Sequence, residues 1–588
     1  MTHERRLDAN TEPGTDGIAS GERGGAPRVA RIRLAIAIGS VAITVGLTYV
    51  RLYYGVDFTD ESFYTAVPYR FVLGARPLID ETNVVPQTPG VILYPFIALW
   101  EWLVGLDGIV LYARHLHLLF SSAVALALFI SLRRILRDSF ISAVLAGAAI
   151  AFVPFGIHGL SYNTFSAGFF AAGCFLGATW LYGAGHRTLV AAGATHGLAI
   201  FTYPTFVLPV ACFFVVLYLT SRPRSLRSLT PALLPAAIGA LATVTFFVHR
   251  GVGTIHEIAR RNAEIGGQGG GIGEVGEIVS FVSTSFTHKY LAVLLLVAAA
   301  GLRALRPGAA LLPLLLLPFV ALPTDLGTSA SANEFVTNAG LLAPGVFLLV
   351  RKNVAGRRML TVVWLPAAVG GMTTALTSAN GGINVAIGFF PAMIVTGALL
   401  CLALQQPFAR VSPLDIAPAV ALVLIGVALQ YLSVYRDAGM RHLPALVNDG
   451  AYAGLYTTRE KRAFLTALDR DLQAVSGSSC RIVFYDTFPA GYLLGHGRSA
   501  TNATWLVDVE ESQEAAYQHV LLAYYQRQGR LPDIVVRLDR IPLTDTTAIE
   551  HTYDTQEPLE RTFGGAHYVP ARVAQGYRIL RKRDAVCG

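Results

Sequence analysis

Charged residues are scarce in this chain. Only 14% of its residues are Asp, Glu, Lys or Arg, whereas 53% are hydrophobic and the mean hydropathy is +0.51. A soluble globular domain carries about 25% charged residues, so a molecule with a mainly water-facing surface is excluded. Apolar runs of ~20 residues, enough to cross ~30 Å of hydrocarbon, recur along most of the chain. The composition therefore predicts a membrane protein that crosses the bilayer many times.

Cysteine is also scarce. The five cysteines form no CxxC pair and no metal-ligand spacing. Cys174, Cys212 and Cys401 fall inside apolar runs, where a buried thiol behaves as a small hydrophobic side chain. Cys480 and Cys587 lie near the end of the chain and could form a disulfide if that region is extracytoplasmic.

Two further classes of protein are not expected. The net charge is +8, but the arginines lie in short clusters between apolar runs, which is typical of cytoplasmic loops under the positive-inside rule. No nucleic-acid partner is therefore predicted. The glycine-rich stretch 266–273 (GGQGGGIG) is not a dinucleotide-binding loop, because no strand precedes it and no βαβ unit surrounds it. It indicates a mobile loop.

The arginine clusters allow a topology to be predicted. Residues 1–30 are read as a disordered cytoplasmic tail. If every cluster is cytoplasmic, about thirteen transmembrane helices follow, an odd number that places the C-terminal region outside. The expected spans are 34–50, 111–132, 140–157, 164–182, 188–202, 205–221, 231–249, 288–305, 309–323, 335–350, 359–377, 384–404 and 414–434. The stretch 90–106 carries Pro95, Glu101 and two tryptophans, so we place it on the outer interface instead.

The expected fold is thus an α-helical multi-pass protein of the inner (plasma) membrane with a cytoplasmic N-terminus. Its transmembrane domain covers 31–435 and carries two long outer loops, 51–110 and 250–287. An extracytoplasmic α/β domain follows at 436–588. The strand-like runs in it are 481–485, 533–537 and 577–580, and the helical patterns are 459–475 and 510–528.

The most informative stretch is Asp57–Tyr64 (DFTDESFY), directly after the first span. Its acids stand among aromatic residues, which favours a position at the membrane surface. A second acidic pair, Asp80 and Glu81, follows in the same loop. Arg70 and Arg76 lie between the two acidic groups, where they could bind an anion. A solvated loop at a membrane boundary is the simpler alternative.

The motifs of this loop resemble a known family. DESFY at 60–64, VLGARP at 72–77, PQTPG at 86–90 and Tyr94-Pro95 are similar to the first outer loop of GT-C superfamily glycosyltransferases. These include protein O-mannosyltransferases, the lipid A aminoarabinose transferase and mycobacterial arabinosyltransferases. The resemblance extends to the interfacial helix near 90–106 and to Ala113-Arg114. The rest of the chain is similar only in layout, with many spans before an extracytoplasmic domain.

The resemblance implies a polyprenyl-phosphate sugar as donor and a hydroxyl acceptor on a glycan, lipid or protein of the cell envelope. Our hypothesis makes Asp60 the general base, supported by Glu61, and the resemblance favours inversion at the sugar. Cations must neutralise the departing phosphate. The candidates for that role are Arg114, Arg70, Arg76, Arg260, Arg261 and Lys289. The candidate substrate contacts are Asp57, Tyr64, Tyr162, Asn163 and Glu334. A divalent cation at the acidic clusters is left open.

Three alternatives remain. A transporter or flippase of lipid-linked sugars usually carries ionisable residues inside its spans and internal repeats, and neither is found here. A polymerase or ligase of surface polysaccharide would not need an acidic pair directly after the first span. The third is a non-catalytic membrane scaffold whose C-terminal domain binds cell-wall glycan.

Overall fold

The computed structural model describes residues 25–84, 86–221, 224–249, 272–378, 380–405, 412–477, 479–485, 488–495, 497–505, 521–544, 546–551, 558–565 and 567–585. Up to Leu432 the described chain is mostly helical. Its α-helices are α1 Gly25–Arg51, α2 Asp60–Val72, α3 Gln87–Val104, α4 Ile109–Leu136, α5 Ser139–Ala146, α6 Ala148–Ala151, α7 Tyr162–Ala178, α8 His186–Thr202, α9 Val207–Thr220, α10 Leu226–Val248, α11 Ile272–Ser285, α12 Lys289–Leu305, α13 Leu311–Val320, α14 Ser331–Leu341, α15 Ala343–Leu349, α16 Val354–Met359, α17 Leu365–Leu376, α18 Val385–Gln405 and α19 Ala417–Leu432.

Seven helices in the described part of the chain are long and apolar enough to cross a membrane. They are Arg28–Arg51, Ile109–Leu136, Tyr162–Tyr182, Leu226–Val248, Val354–Leu376, Gly381–Gln405 and Pro413–Leu432. The pair Val275–Ser285 and Lys289–Leu305, bent by 64°, gives an eighth if it is one span. A multi-pass helical protein is thereby confirmed.

The number thirteen is not confirmed. Three of the expected spans correspond to apolar helices of only 10–17 residues, which reach about 15–26 Å at 1.5 Å per residue. These helices are Ser139–Ala151, Pro204–Thr220 and Gly308–Val320. Because the predicted side of the C-terminal region depends on counting spans, that orientation stays a prediction.

Helix α18 is the centre of the bundle, since every described residue from Val385 to Leu404 is buried. Small residues let other helices approach it. A Cβ on Gly388 would come within 2.1 Å of the backbone of Gly370 on α17, so these two helices meet backbone to backbone. By contrast, only 17% of the most apolar 18-residue stretch of α10 is buried, and leucines such as Leu241 face outward. An apolar, outward-facing helix is expected where lipid is the solvent.

The C-terminal region carries a mixed five-stranded sheet, as the predicted α/β domain requires. The described strands are β1 Ala445–Leu446, β2 Tyr456–Thr457, β3 Arg481–Tyr485, β4 Arg498–Ser499, β5 Ile534–Leu538, β6 Arg540–Pro542, β7 Ala548–Glu550, β8 Tyr568–Ala574 and β9 Tyr577–Lys582. The strands of the five-stranded sheet run in the order β4–β3–β5–β9–β8, where β3 is parallel to β4 and β5, and β9 is antiparallel to β5 and β8. The helices are α20 Arg459–Val475 and α21 Pro558–Gly564. The predicted helix at 510–528 lies partly outside the described residues.

The first outer loop packs into the core of this C-terminal region. The ring of Phe58 contacts those of Tyr452, Phe464 and Phe488, and Ile97 of α3 is buried in the same cluster. The predicted boundary at 435/436 therefore separates two parts of the sequence that share one hydrophobic core. Helix α3 is not among the seven candidate spans, and its position on the membrane surface stays a prediction.

The described cysteines are of two kinds, free thiols and a disulfide-bonded residue. Cys174, Cys212 and Cys401 are free thiols within the helical part. Cys480, at the start of β3, is disulfide-bonded. Cys587, its expected partner, lies outside the described residues.

Candidate active site

Asp57 sits at the start of helix α2. Its carboxylate accepts hydrogen bonds from the N–H and the hydroxyl of Thr59, at 2.9 and 2.5 Å, and from the N–H of Glu61 at 2.8 Å. The first N–H groups of a helix lack intrahelical partners, and a carboxylate there also favours the positive end of the helix dipole. Asp57 is buried. The geometry thus makes it a capping residue, and its contact with substrate stays a prediction.

Glu61 and Arg114 form a buried bidentate ion pair. Nε and Nη2 of Arg114 each lie 2.6 Å from a carboxylate oxygen of Glu61, and each side chain is only 4% exposed. The guanidinium also donates to the carbonyl oxygens of Leu52, Tyr54 and Gly55. Arg114 therefore fastens the chain leaving α1, and the first turn of α2, to the start of α4. Its donors face protein acceptors, which favours a positioning role over direct phosphate binding.

Asp60 differs from both of these acids because its carboxylate is half-buried, with 21% of the side chain exposed. Oδ2 accepts a hydrogen bond of 2.5 Å from the hydroxyl of Tyr435 and lies 4.0 Å from the guanidinium of Arg436. Burial, followed by the charge of Asp57, raises the pKa of Asp60 to about 6. At neutral pH such a carboxyl is ionised yet basic enough to take a proton from a hydroxyl.

The segment after α19 carries Tyr435 and Arg436 to this carboxylate. Arg436 has φ 46°, in the left-handed region that residues other than glycine rarely adopt. Nζ of Lys461, on α20, donates to the carbonyl oxygens of Arg436 and Val56 and lies 3.7 Å from Asp437. Lys461 is buried and its pKa is lowered, because burial outweighs the nearby carboxylates. The C-terminal region thus holds the strained turn beside Asp60.

The sequence reasoning missed Tyr435 and Arg436. The signal available was their position, since they follow the last predicted span, 414–434, as Asp57–Tyr64 follows the first. The predicted boundary at 435/436 falls between them, so the sequence analysis assigns Tyr435 to the transmembrane domain and Arg436 to the C-terminal one. Only the fold brings them to Asp60, across 375 positions of sequence.

Arg70 and Arg76, two predicted phosphate binders, have different surroundings. Arg70 is buried at the other end of α2, where Nη1 lies 2.6 Å from Glu81 and 2.5 Å from the hydroxyl of Thr504. Nη2 donates to the carbonyl oxygens of Asp80 and Thr501. Burial raises the pKa of Glu81 against the opposing effect of Arg70. Arg70 therefore joins the loop to the C-terminal region.

Arg76 lies on the surface. Its guanidinium is paired with Asp80 at 2.9 Å, and 55% of its side chain is exposed. It remains accessible to an anion, so its assignment to phosphate stays a prediction.

Two of the predicted substrate contacts lie close to Asp60. The rings of Tyr64 and Tyr162 have centroids 6.0 Å apart, and they belong to a small apolar cluster with Tyr435. Asn163, in the first turn of α7, is buried, and its Oδ1 has no hydrogen-bond partner within the described ranges. The structure therefore brings Tyr64 and Tyr162 near Asp57 and Asp60, and their contact with substrate stays a prediction.

The remaining predicted residues are not joined to this group. Arg260 and Arg261 lie outside the described residues. Lys289 begins α12 and donates to the carbonyl oxygen of Ser283 at 2.5 Å, and Glu334 lies in the first turn of α14. In the part of the chain that is described, no hydrogen bond or ion pair links either residue to Asp60. Nor does any group of three or more His, Cys, Asp or Glu there have the geometry to hold a metal ion.

Two cavities are lined in part by the loop 51–110. A polar cavity of about 10 Å³ is lined by Asp57, Glu61, Arg114, Tyr435 and His158. Both ring nitrogens of His158 are buried there without a hydrogen-bond partner among the described residues. Burial, together with the charge of Arg51, holds the pKa of His158 well below its usual value, so the ring is neutral.

The second cavity is an apolar groove of about 590 Å³ between α8 and α10. Phe201 and Leu241 form part of its walls, and Pro77 and Leu78 of the outer loop line its end. The N–H of Leu78 donates to the side chain of Gln87 at 2.6 Å. The groove therefore adjoins the loop that carries Asp60.

Comparison with known proteins gives little. No family model matches the chain, and no curated protein does. Among solved structures, the crystal structure of ArnT from Cupriavidus metallidurans in the apo state is similar over 95% of this chain and 98% of that chain. The two are 12% identical and superpose with a TM-score of 0.34, which is too low to establish a common fold.

Proposed function

We propose that this chain is a membrane glycosyltransferase that moves a sugar from a polyprenyl-phosphate donor to a hydroxyl acceptor of the cell envelope, at the extracytoplasmic face. The observation that carries the proposal is the carboxylate of Asp60. It is half-buried beside two acids that are fully engaged by protein donors, and its pKa is raised to about 6. The loop motifs that resemble GT-C glycosyltransferases support the same assignment.

In the proposed reaction Asp60 takes the proton of the acceptor hydroxyl. The acceptor oxygen forms a bond to the anomeric carbon while the bond from that carbon to the donor phosphate oxygen breaks. Polyprenyl phosphate leaves, and a single displacement inverts the anomeric centre. Proton transfer to a positioned base contributes about 10²–10⁴-fold to such a rate.

We propose Arg436 as a cation for the departing phosphate. It lies 4.0 Å from Asp60 and is partly exposed, so one guanidinium could face both the base and the leaving group. A charge held in place before the reaction stabilises the developing anion without reorganisation. Arg76, Arg260, Arg261 and Lys289 remain further candidates, whereas Glu61 and Arg114 position the first turn of α2.

The groove between α8 and α10 is the proposed position of the polyprenyl tail. Its lining is mainly aliphatic and aromatic, and it ends at the outer loop. An isoprenoid chain gains about 25 cal/mol for each Å² of apolar surface that it buries. A donor seated there would present its phosphate and sugar to the loop.

The test is sugar transfer by the full-length protein in proteoliposomes with a radiolabelled polyprenyl-phosphate sugar and an envelope extract as acceptor. Asp60→Asn should lower the rate about 100-fold or more. Asp80→Asn, which removes an acid of the same loop, is the matched control and should retain activity. Activity retained in Asp60→Asn would remove that residue from the base role.

The same proteoliposomes distinguish the alternative functions. Movement of the labelled lipid across the bilayer without sugar transfer would indicate a flippase. Absence of both activities would indicate a scaffold.

A further inference from the structure

A cavity of about 850 Å³ lies between the ends of three helical segments, and the proposed reaction does not use it. One wall is the turn 179–184 after α7, and the second is formed by 219–221 at the end of α9 with Arg224 and Ser228 near the start of α10. The third is 354–361, which comprises α16 and the two residues after it. The cavity is more than large enough for a phosphate-bearing headgroup, and it shares no lining residue with the two cavities described above.

Helix α4 shows where the cavity lies relative to Asp60. Near its beginning, Arg114 is bonded to Glu61. Near its end, Arg134 donates to the carbonyl oxygens of Tyr182 and Gly183, and Gly183 lines the cavity. Twenty residues of α-helix span ~30 Å, which is the thickness of the hydrocarbon core of a bilayer. The cavity and Asp60 are therefore at opposite ends of a helix that can span the membrane.

The polar part of the lining is cationic. Arg224, Arg357 and Arg358 contribute three guanidinium groups, and no Asp or Glu occurs among the described residues that line the cavity. Nη1 of Arg358 donates to the carbonyl oxygen of Leu181 at 2.7 Å, and its guanidinium lies 5.0 Å from the ring centroid of Tyr182. These contacts fix Arg358 in place, whereas Arg224 and Arg357 are exposed. Guanidinium groups bind phosphate oxygens bidentately.

The apolar part of the lining indicates which phosphate compound is bound. Leu219 and Val354 are about half exposed, at 52% and 50%, and Trp180 lies on the remaining wall. A free phosphate would make no use of these side chains. Acyl chains would cover them while the headgroup met the arginines, and tryptophan is favoured at such a boundary.

We propose that this cavity binds the headgroup of an anionic phospholipid on the membrane face opposite Asp60. Its walls come from the ends of three separate helical segments, so a bound lipid holds them together. Basic pockets between transmembrane helices are a known type of headgroup site. The assignment does not depend on the reaction proposed for Asp60.

The first experiment measures lipid selectivity. The purified full-length chain is placed in nanodiscs of phosphatidylglycerol and phosphatidylcholine, and the retained lipid is counted by native mass spectrometry. Wild type should retain more phosphatidylglycerol than phosphatidylcholine. In the double variant Arg224→Gln/Arg357→Gln the ratio of the two retained lipids should fall about tenfold. The matched control, Arg351→Gln/Lys352→Gln, removes two exposed charges just before α16 that do not line the cavity. It should keep the preference.

Three results would overturn the proposal. One is unchanged selectivity in the Arg224/Arg357 variant, and another is an equal loss in the Arg351/Lys352 control, which would indicate diffuse surface charge. The third is displacement of the lipid by soluble glycerol phosphate at equal concentration, which would make a free phosphate the ligand. A second readout leaves the arginines of the cavity unchanged. Phosphatidylglycerol with brominated acyl chains should quench the fluorescence of wild type, and Trp180→Phe should lose that part of the quenching.

Discussion

The two ends of helix α2 contain similar side chains but differ in what they leave accessible. At its first turn Glu61 is locked to Arg114, and at its last turn Arg70 is locked to Glu81, both as buried ion pairs at 2.6 Å. Only the first turn also holds a carboxylate that reaches solvent, that of Asp60. The last turn carries no carboxylate, and its Arg70 donates to the C-terminal region.

The comparison separates two functions of charge in one loop. Buried ion pairs contribute little net stability, because desolvation offsets their attraction, but removing one partner leaves a costly unpaired charge. Such pairs therefore fix geometry. The acid suited to chemistry is the one whose partners leave an oxygen open. Four changes test whether this division holds.

The largest effect is expected from Glu61→Gln. It leaves the guanidinium of Arg114 buried without a counter-charge, which costs about 3–5 kcal/mol. The unfolding temperature of the purified protein in detergent should fall clearly. Asp80→Asn breaks an exposed pair with Arg76, which is worth at most about 1 kcal/mol, and serves as control. Equal effects of the two substitutions would contradict the positioning role of Glu61.

Thr504→Val tests the other end of the helix. Its hydroxyl is bonded to both Glu81 and Arg70, and hydrogen bonds to charged groups contribute about 1.5–3 kcal/mol. Limited proteolysis should cleave the C-terminal region faster in this variant than in wild type. Thr546→Val changes an exposed threonine of the same region and should have no such effect. If both variants are as resistant as wild type, the contact of Thr504 with the loop does not hold the two parts together.

Asp60→Asn should change stability in the opposite direction to Glu61→Gln. The pKa of Asp60 in the folded protein, about 6, lies above the ordinary value of 3.8, so folding disfavours the ionised form. Its favourable contribution to stability is full below about pH 4 and is lost as the pH rises through 6. We therefore expect Asp60→Asn to be more stable than wild type by about 1 kcal/mol at pH 8, and no more stable at pH 4. A lower stability of Asp60→Asn than of wild type at pH 8 would argue against a raised pKa of Asp60.

The smallest effect is a shift in a pH profile. The hydroxyl of Tyr435 donates to Asp60 and lowers the pKa of that carboxyl, so Tyr435→Phe should raise it. On the acid side of the pH–rate profile, the pH at which sugar transfer falls to half should rise by less than about one unit. Tyr452→Phe, whose hydroxyl is bonded to Ser62 and not to Asp60, is the control. A limb at the same pH in both variants would show that Tyr435 does not tune the base.

Local pattern was sufficient for much of this molecule. Helix α20 was predicted at 459–475 and is found at Arg459–Val475, because its apolar residues repeat at helical spacing and Thr458 caps it. Strand β3 was predicted at 481–485 from its strand-like apolar run and is found there. The grouping of Asp57, Asp60 and Tyr64 followed from their position beside the first span.

Long-range pairing could not be predicted. An arginine at the end of a span is compatible with a lipid phosphate, a substrate or an internal partner. Only the fold shows that Arg114 meets Glu61, 53 positions earlier. The predicted number of spans is not confirmed, because short and bent helices have the same composition as long straight ones.

The contact between Arg70 and Thr504 has a consequence for biosynthesis, because 434 positions separate the two residues. At about 5–20 residues per second, the ribosome needs roughly 20–90 s to pass from one to the other. During that time the outer loop has been made but lacks the partners that complete its buried surface. Asp60 likewise lacks its hydrogen-bond donor until Tyr435, 375 positions later, has been made. A nascent chain must therefore keep this loop incomplete until its last quarter emerges, so a part of the chain that is made early should be among the last to mature.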